Sequence, residues 1–372
     1  MVAGEASGDL LAAALIEGLK ERWPALQVAG IGGPRMAATG FDAWWPSDKL
    51  AVRGYVEVLR HYREIKGIRD ALGDRLIAAP PRAFVGVDAP DFNLGLEQRL
   101  KAAGIKTVHF VCPSIWAWRG GRAKKMAASC DQVLCLFPFE PELLHRHGVA
   151  ATYVGHPLAD AIPMQAPRAA ARAAFGFADG EQVVGVLPGS RRSEIQYIAP
   201  AFLQAVARLH RERPALRFVL PVAPGLRPLV DPLVAEHARG VPLLVVDGRS
   251  HEALAACDVT LIASGTATLE AALFKRPMVI GYRMAALSWQ LMKRLAYQPW
   301  VGLPNILCRE FVVPELIQER CTPEALAAAV AAWLDDAPKA DALVRRFDEL
   351  HHLLRRDTAR RAADAIAQVA EA

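Results

Sequence analysis

Two doubly wound α/β domains in series, each on a parallel sheet, are the architecture this chain predicts. Three observations predict it. At 372 residues the chain exceeds what a single hydrophobic core usually organises. Short apolar runs alternate with helical stretches along most of its length. Those runs end repeatedly in Gly-, Pro- or Ser-rich turns that open helices, where parallel sheets bind ligands. A hydrophobic fraction of 53% excludes a disordered chain. No run approaches the roughly 18 apolar residues that span a bilayer. No signal peptide is evident, so a cytosolic protein, or one meeting the membrane from the cytosolic side, is expected. Cys112, Cys130, Cys135, Cys257, Cys308 and Cys321 form no CxxC pair, which argues against zinc or a disulfide framework. The net charge of +5 suits an anionic substrate or membrane surface and is too small and dispersed for nucleic acid.

The first strand is a stub, Met1-Val2-Ala3; either the strand is short or the chain begins inside it. It runs into Gly4-Glu5-Ala6-Ser7-Gly8-Asp9 and a helix over 10–19. Glycines and a serine at a helix entry present free amides to a ligand, although a tight turn without a ligand accounts for the same residues. Leu26 to Ile31 reads as the second strand, ending in Gly32-Gly33-Pro34. Residues 41–63 then mix Trp44, Trp45, Val52, Tyr55, Val56, Val58, Leu59 and Tyr62 with Lys49, Arg53, Arg60, His61 and Arg63. This composition fits a membrane surface, and equally an amphipathic helix packed on the sheet.

Ala83 to Val87 is the next strand and delivers Asp88 at its carboxyl end. Pro90 breaks the strand, Asp91 and Asn93 follow in the loop, and a helix over 94–103 stops at Gly104. The strand Thr107 to Val111 leads to Trp116 and Trp118, followed by Arg119, Arg122, Lys124 and Lys125. These cations either grip an anionic headgroup or form a solvated helix start. Val133 to Phe137 is a strand, 138–147 a helix, and Ala151 to Val154 a strand closing with Gly155-His156-Pro157. His156 reads as a hinge, a ligand contact or a structurally satisfied histidine.

A composition shift over 160–178 separates a first domain, 1–165, from a second, 166–340. The Arg-rich helical segment 341–372 packs back on the first domain or on a second subunit, and suits a homodimer. Strands at Val183–Leu187, Phe218–Val222, Leu243–Val246 and Val259–Ala263 build the second sheet, with helices after Ser250, Thr266 and Thr322. Two turns there suit phosphate. Pro188-Gly189-Ser190-Arg191 offers amides and a fixed charge. Ser264-Gly265-Thr266-Ala267-Thr268 offers small residues and hydroxyls, with Glu270 one turn on, placed to accept from both ribose hydroxyls. A plain capped helix is the alternative for this second turn. Pro304-Asn305 forms a turn that aims an amide at a sugar or diphosphate.

Taken together, Gly4 to Asp9, Gly54 to Leu59, Asp88 to Asn93, Pro113 to Trp118, Phe137 to Glu140, Gly155 to Pro157, Leu187 to Arg191, Ser264 to Glu270 and Pro304-Asn305 resemble the lipid-A-disaccharide synthase family. The resemblance runs from residue 2 to at least 320, and departs only at the stub where the family has a full first strand. It implies a GT-B glycosyltransferase, with two Rossmann-like domains facing across a cleft and the nucleotide sugar on the second. The implied reaction joins UDP-2,3-diacylglucosamine to 2,3-diacylglucosamine 1-phosphate (lipid X). It forms a β-1,6 disaccharide and UDP at the cytoplasmic face of the Gram-negative inner membrane, against its anionic phospholipid. Inversion needs a general base, which falls to Asp88 with Asp91 second. Gly189, Ser190, Arg191, Ser264, Gly265, Thr266, Ala267, Thr268, Glu270 and Asn305 then hold the UDP-sugar. Glu5, Ser7, Gly8, Asp9, Asn93, Trp116, Arg119, Arg122 and His156 form the acceptor loops. Val52, Tyr55, Val56, Val58, Leu59 and Tyr62 meet acyl chains or membrane. No metal or cofactor is expected. A peptidoglycan N-acetylglucosaminyltransferase, a UDP-sugar epimerase and a non-catalytic nucleotide-binding membrane protein are the competing readings.

Overall fold

A computed structural model describes residues 1–50, 55–116, 121–285, 289–290 and 297–371. The chain divides into two compact units, Met1–Asp160 with Leu353–Ala372, and Ala161–His352.

The first unit holds β1 (Val2–Ala3), β2 (Ala29–Gly32), β3 (Asp42–Pro46), β4 (Phe84–Val87), β5 (Thr107–Phe110), β6 (Gln132–Cys135) and β7 (Ala151–Tyr153). They form one parallel sheet in the order β3-β2-β1-β4-β5-β6-β7. The two-residue β1 is central: Val2 pairs with Ile31 and Gly86, Ala3 pairs with Val87, and both are fully buried. The helices are α1 (Ala6–Arg22), α2 (Pro34–Ala38), α3 (Tyr55–Ala78), α4 (Pro90–Ala102), α5 (Arg122–Ser129), α6 (Glu140–His145) and, at the unit boundary, α7 (Pro157–Ala161). They cover both faces, which is why the central strands β1, β4 and β5 are buried at every position rather than alternating. On one face α3 buries Ile68, Leu72 and Leu76, four residues apart, beside Phe92, Leu96 and Leu100 of α4. The other face is closed by α1 and by the last helix of the chain.

In the second unit, β8 (Val183–Leu187), β9 (Arg217–Val222), β10 (Leu243–Asp247), β11 (Val259–Ala263), β12 (Met278–Tyr282) and β13 (Glu315–Ile317) form a parallel sheet in the order β10-β9-β8-β11-β12-β13. Around it lie α8 (Arg168–Phe175), α9 (Arg192–Glu212), α10 (Arg227–His237), α11 (Ser250–Ala256), α12 (Thr266–Leu273), α13 (Leu303–Cys308), α14 (Pro323–Asp335) and α15 (Ala337–Leu354). The final helix, α16 (Thr358–Glu371), belongs to the first unit. It sets Ala362, Ala363 and Ile366 into the core beneath α1. Gly18 of α1 is what allows that approach, since a Cβ there would stand 2.8 Å from the Ala359 carbonyl oxygen. Asp160 caps the start of α16 by accepting from the Asp357 and Thr358 amides. The segment 341–372 therefore divides: α15 lies in the second unit as far as His352, and α16 packs on the first.

Several local expectations change. The helix read from 94 begins at Pro90, where a missing amide costs nothing, so Asp91 and Asn93 lie in its first turn rather than in a loop. Trp44 and Trp45 sit on β3 and pack against the core, with Arg75 3.6 Å above the Trp44 ring. Pro304 and Asn305 begin a short helix instead of a turn. Among the described residues, no helix is long and apolar enough to cross a membrane.

Candidate active site

Both sheets repeat one wiring. In each, the chain steps outward in one direction, returns to the centre, and steps outward in the other. The reversal lies between β1 and β4 in the first unit and between β8 and β11 in the second. Crevices open at such points, beyond the carboxyl ends of the strands.

In the first unit this brings the Gly4–Asp9 turn against the Asp88 turn. A Cβ on Gly4 would lie 3.3 Å from the Ala89 Cβ. Asp88 and Ala89 both adopt left-handed backbone (φ 51° and 44°), uncommon outside glycine and concentrated at functional turns. The Asp88 amide donates to the Phe110 carbonyl (2.9 Å), and Asn93 Nδ2 donates to the Asp88 carbonyl (2.8 Å). Burial pushes the half-buried Asp88 carboxyl up; His109 and the Ala89 amide hold it down. Asp91 is exposed and ion-pairs with Arg122 at 2.6 Å.

Other residues expected in the acceptor loops take different posts. Asp9 is buried and caps α2, accepting from the amides of Gly33, Arg35 and Met36, so its carboxylate is not available to a substrate. Asn93 is buried beneath the Asp88 turn. Glu5 N-caps α1, Ser7 is exposed, and Gly8 lies against the Val87 carbonyl. Arg119 and Val52 lie outside the described residues, as do the side chains of Tyr55, Val56, Val58 and Leu59 on α3; Tyr62 is exposed.

Trp116 donates Nε1 to Glu140 Oε1 (3.0 Å) and stands edge-on to Phe137 and Phe139. The Phe137 amide donates to the other Glu140 oxygen, and His156 packs on the Phe137 ring. Burial pushes the Glu140 carboxyl up to about 7 and the His156 imidazole down to about 4. His156 Nδ1 accepts from the Leu158 amide, which makes it the satisfied histidine rather than an open ligand. Because the folded value for Glu140 lies above its ordinary 4.5, its ionisation works against folding. Stability is fully present below pH 4.5 and is lost as pH rises toward 7. Glu140→Gln should remove this loss. Urea melts at pH 5 and pH 8 should show the wild type losing about 3 kcal/mol relative to the variant.

In the second unit, the turns after β8, β9, β10 and β11 line a pocket of about 370 Å³. Its lining includes Gly189, Ser190 and Arg191 after β8, Gly265, Thr266, Ala267 and Glu270 after the neighbouring β11, and Val222, Pro224, Gly248 and Ser250. The Gly265 turn can take phosphate, because Thr266 and Ala267 open α12 and the first amides of a helix lack internal acceptors. Gly265 has φ 150° and ψ −166°, a region that essentially only glycine enters. Glu270 lines the pocket and is 3.4 Å from His251 Nε2; the bond to Glu270 raises the His251 imidazole. His251 went unread in the sequence because it reaches Glu270 from α11, nineteen positions away in the chain.

Three nucleotide-site expectations are corrected. The Ser190 and Arg191 amides are not free: both donate to Glu194 Oε2, and the Arg191 guanidinium pairs with the same carboxylate. Thr268 is buried, its hydroxyl donating to the Gly265 carbonyl and accepting from the Leu303 amide. Asn305 is fully buried, bonded to Val313 and to Glu315, so its amide does not reach a nucleotide. Ser264 lines the pocket while its hydroxyl donates to the Val301 carbonyl.

Comparison with known proteins decides what this pair of crevices belongs to. Residues 1–369 match the family described as Lipid-A-disaccharide synthetase. The chain belongs to that family. It is 60% identical to the lipid-A-disaccharide synthase of Albidiferax ferrireducens over 374 residues, covering 99% of this chain and 96% of the relative. It is 59% identical to that of Verminephrobacter eiseniae, covering 98% and 95%. Among solved structures it resembles the UDP-GlcNAc 2-epimerase of Neisseria meningitidis bound to UDP-GlcNAc (TM-score 0.64, 12% identity, covering 98% and 96%). It also resembles MurG of Acinetobacter baumannii (TM-score 0.63, 15% identity, covering 99% and 98%). At such identities these likenesses concern the fold, which is that of GT-B glycosyltransferases: two Rossmann-like units on parallel sheets. The family is one of glycosyltransferases in lipid A disaccharide synthesis, which sets aside the peptidoglycan-transferase, epimerase and non-catalytic readings.

Proposed function

We propose that this chain transfers the diacylglucosaminyl group of UDP-2,3-diacylglucosamine to the 6-hydroxyl of 2,3-diacylglucosamine 1-phosphate. The products are the β-1,6-linked lipid A disaccharide 1-phosphate and UDP. The match to the family over residues 1–369 carries this reading. The local chemistry supports it. Asp88 removes the proton from the attacking hydroxyl; its partial burial raises its basicity, as a general base requires. The second unit holds the leaving nucleotide. The α12 N-terminus and Arg191 meet the charge developing on the β-phosphate, and Glu270 takes the ribose hydroxyls. The reading uses no metal ion, so turnover should persist in excess EDTA.

Purified protein with both diacylated substrates should release UDP and disaccharide in equal amounts. UDP release without disaccharide would reject the acceptor assignment; neither product would reject the reaction.

The same reading places the chain on the cytoplasmic face of the inner membrane, held against anionic phospholipid. It draws on the aliphatic and basic composition of 52–62 and on exposed Tyr62; Trp44 and Trp45 are instead packed on the core. Val56→Ser with Leu59→Ser should reduce flotation with anionic liposomes. Unchanged flotation would assign those side chains to packing instead. A homodimer built on the C-terminal helices is part of the proposal, and sedimentation of the full chain over a range of concentrations tests it.

A further inference from the structure

Beneath the Asp88 turn lies a set of buried polar side chains that the proposed chemistry does not use. Gly86 on β4 pairs with His109 on β5. Helix α4 crosses the same face and sets Asn93 and Glu97, one turn apart, onto Gly86. A Cβ at that position would stand 2.2 Å from Glu97 Oε1 and 2.9 Å from Asn93 Cγ, so only glycine leaves them room. Glu97 Oε1 is 2.8 Å from His109 Nδ1, and neither side chain has any exposed surface. Asn93 Nδ2 bonds the Asp88 carbonyl. Asn93 Oδ1, Glu97 Oε2 and His109 Nε2 are buried with no hydrogen-bond partner. A buried carboxylate–imidazole pair with unmet valences is a poor way to stabilise a sheet, and apolar side chains of similar volume commonly do as well or better. The cluster lies under the turn in which two consecutive non-glycine residues, Asp88 and Ala89, are both left-handed, the one such non-glycine pair among the described residues.

We propose that Glu97 and His109, together with Asn93, are positioning residues for Asp88. Asn93 fixes the turn that aims the carboxylate, and the Glu97-anchored imidazole supplies a buried favourable field beside it. This rests on the reading of Asp88 as the general base. The groups acting on Asp88 come from three elements: His109 from β5, Glu5 from the β1–α1 turn and Arg122 from α5. Glu97 faces His109, and Cys130 faces Glu97. After burial, His109 has the largest influence on the carboxyl and favours its ionised form. Loss of His109 must therefore raise the pH at which Asp88 ionises.

The test uses the full chain with diacylated substrates. His109→Gln should move the acid limb of log kcat/KM up by roughly one pH unit. The Asp88 midpoint, followed by ¹³C-carboxyl NMR and assigned with Asp88→Asn, should move with it, while UDP affinity stays unchanged. A loss of activity equal at every pH, with an unmoved Asp88 midpoint, overturns the inference. A moved midpoint with an unmoved limb upholds the action of the pair on Asp88 and rejects Asp88 as the base. If His109→Gln unfolds, the double variant Glu97→Met, His109→Leu replaces the whole pair with apolar volume. It should melt no earlier than wild type and still show the raised midpoint. Full activity and an unchanged midpoint in that stable variant would assign the pair to packing alone.

Discussion

Asp88→Asn should lower kcat by about three orders of magnitude and leave UDP affinity within twofold of wild type. The substitution keeps the size of the side chain and the left-handed turn, which Asn tolerates better than most residues. It removes the group that takes the proton from the acceptor hydroxyl, a contribution typically of about 10²–10⁴. UDP affinity is the control, because the pocket residues all lie in the second unit while Asp88 lies in the first. Single-turnover assays with saturating donor, beside calorimetry with UDP, separate the two effects. A variant retaining a tenth of wild-type turnover would move the base elsewhere, with Asp91 first in line. Asp91 comes second because it is exposed and already paired with Arg122.

Gly265→Ala should weaken UDP binding by at least tenfold while leaving the rest of the second sheet folded. A Cβ at this glycine meets no atom within 4 Å, so the effect is not a clash with protein. It comes from the backbone: alanine at φ 150° and ψ −166° costs about 1–3 kcal/mol, and relaxation turns the α12 amides away from the pocket. The added methyl also stands where phosphate would approach. Calorimetry gives the affinity and a thermal melt reports folding. Unaltered UDP affinity would remove the Gly265 turn from the phosphate site.

The competition between phosphate and carboxylate at the other turn was not legible in the sequence. Pro188-Gly189-Ser190-Arg191 has the composition of an anion site, yet Glu194 folds back and takes the Ser190 and Arg191 amides. Both residues sit three and four positions before Glu194, the spacing of a capping box. The N-cap is an arginine rather than the Ser or Thr of the usual signature, so the spacing alone does not announce the box. Asn305 and Thr268 erred for a different reason. Asn305 follows a proline and Thr268 lies three residues after Gly265, and both settings suggest a surface turn. Their buried partners, Val313, Glu315 and Leu303, come from segments that only folding brings near. Asp9 likewise reads as an exposed helix-entry carboxylate until α2 arrives to claim it.

The chain by itself determined the two parallel-sheet units, the turns at their carboxyl ends and the family, because apolar periodicity and helix-entry chemistry are local and survive in the linear order of residues. Tertiary structure alone decided which polar groups in those turns remain available to a ligand. Hydrogen-bond donors and acceptors are consumed by whatever packs beside them, and that neighbour is set by strand order. Once β4 lies between β1 and β5, the Glu97–His109 pair comes beside the Asp88 turn, and His109 from β5 acts on its carboxyl together with Glu5 and Arg122. No pattern along the sequence encodes that meeting; it follows from the right-handed crossover that carries the chain from β4 through α4 to β5.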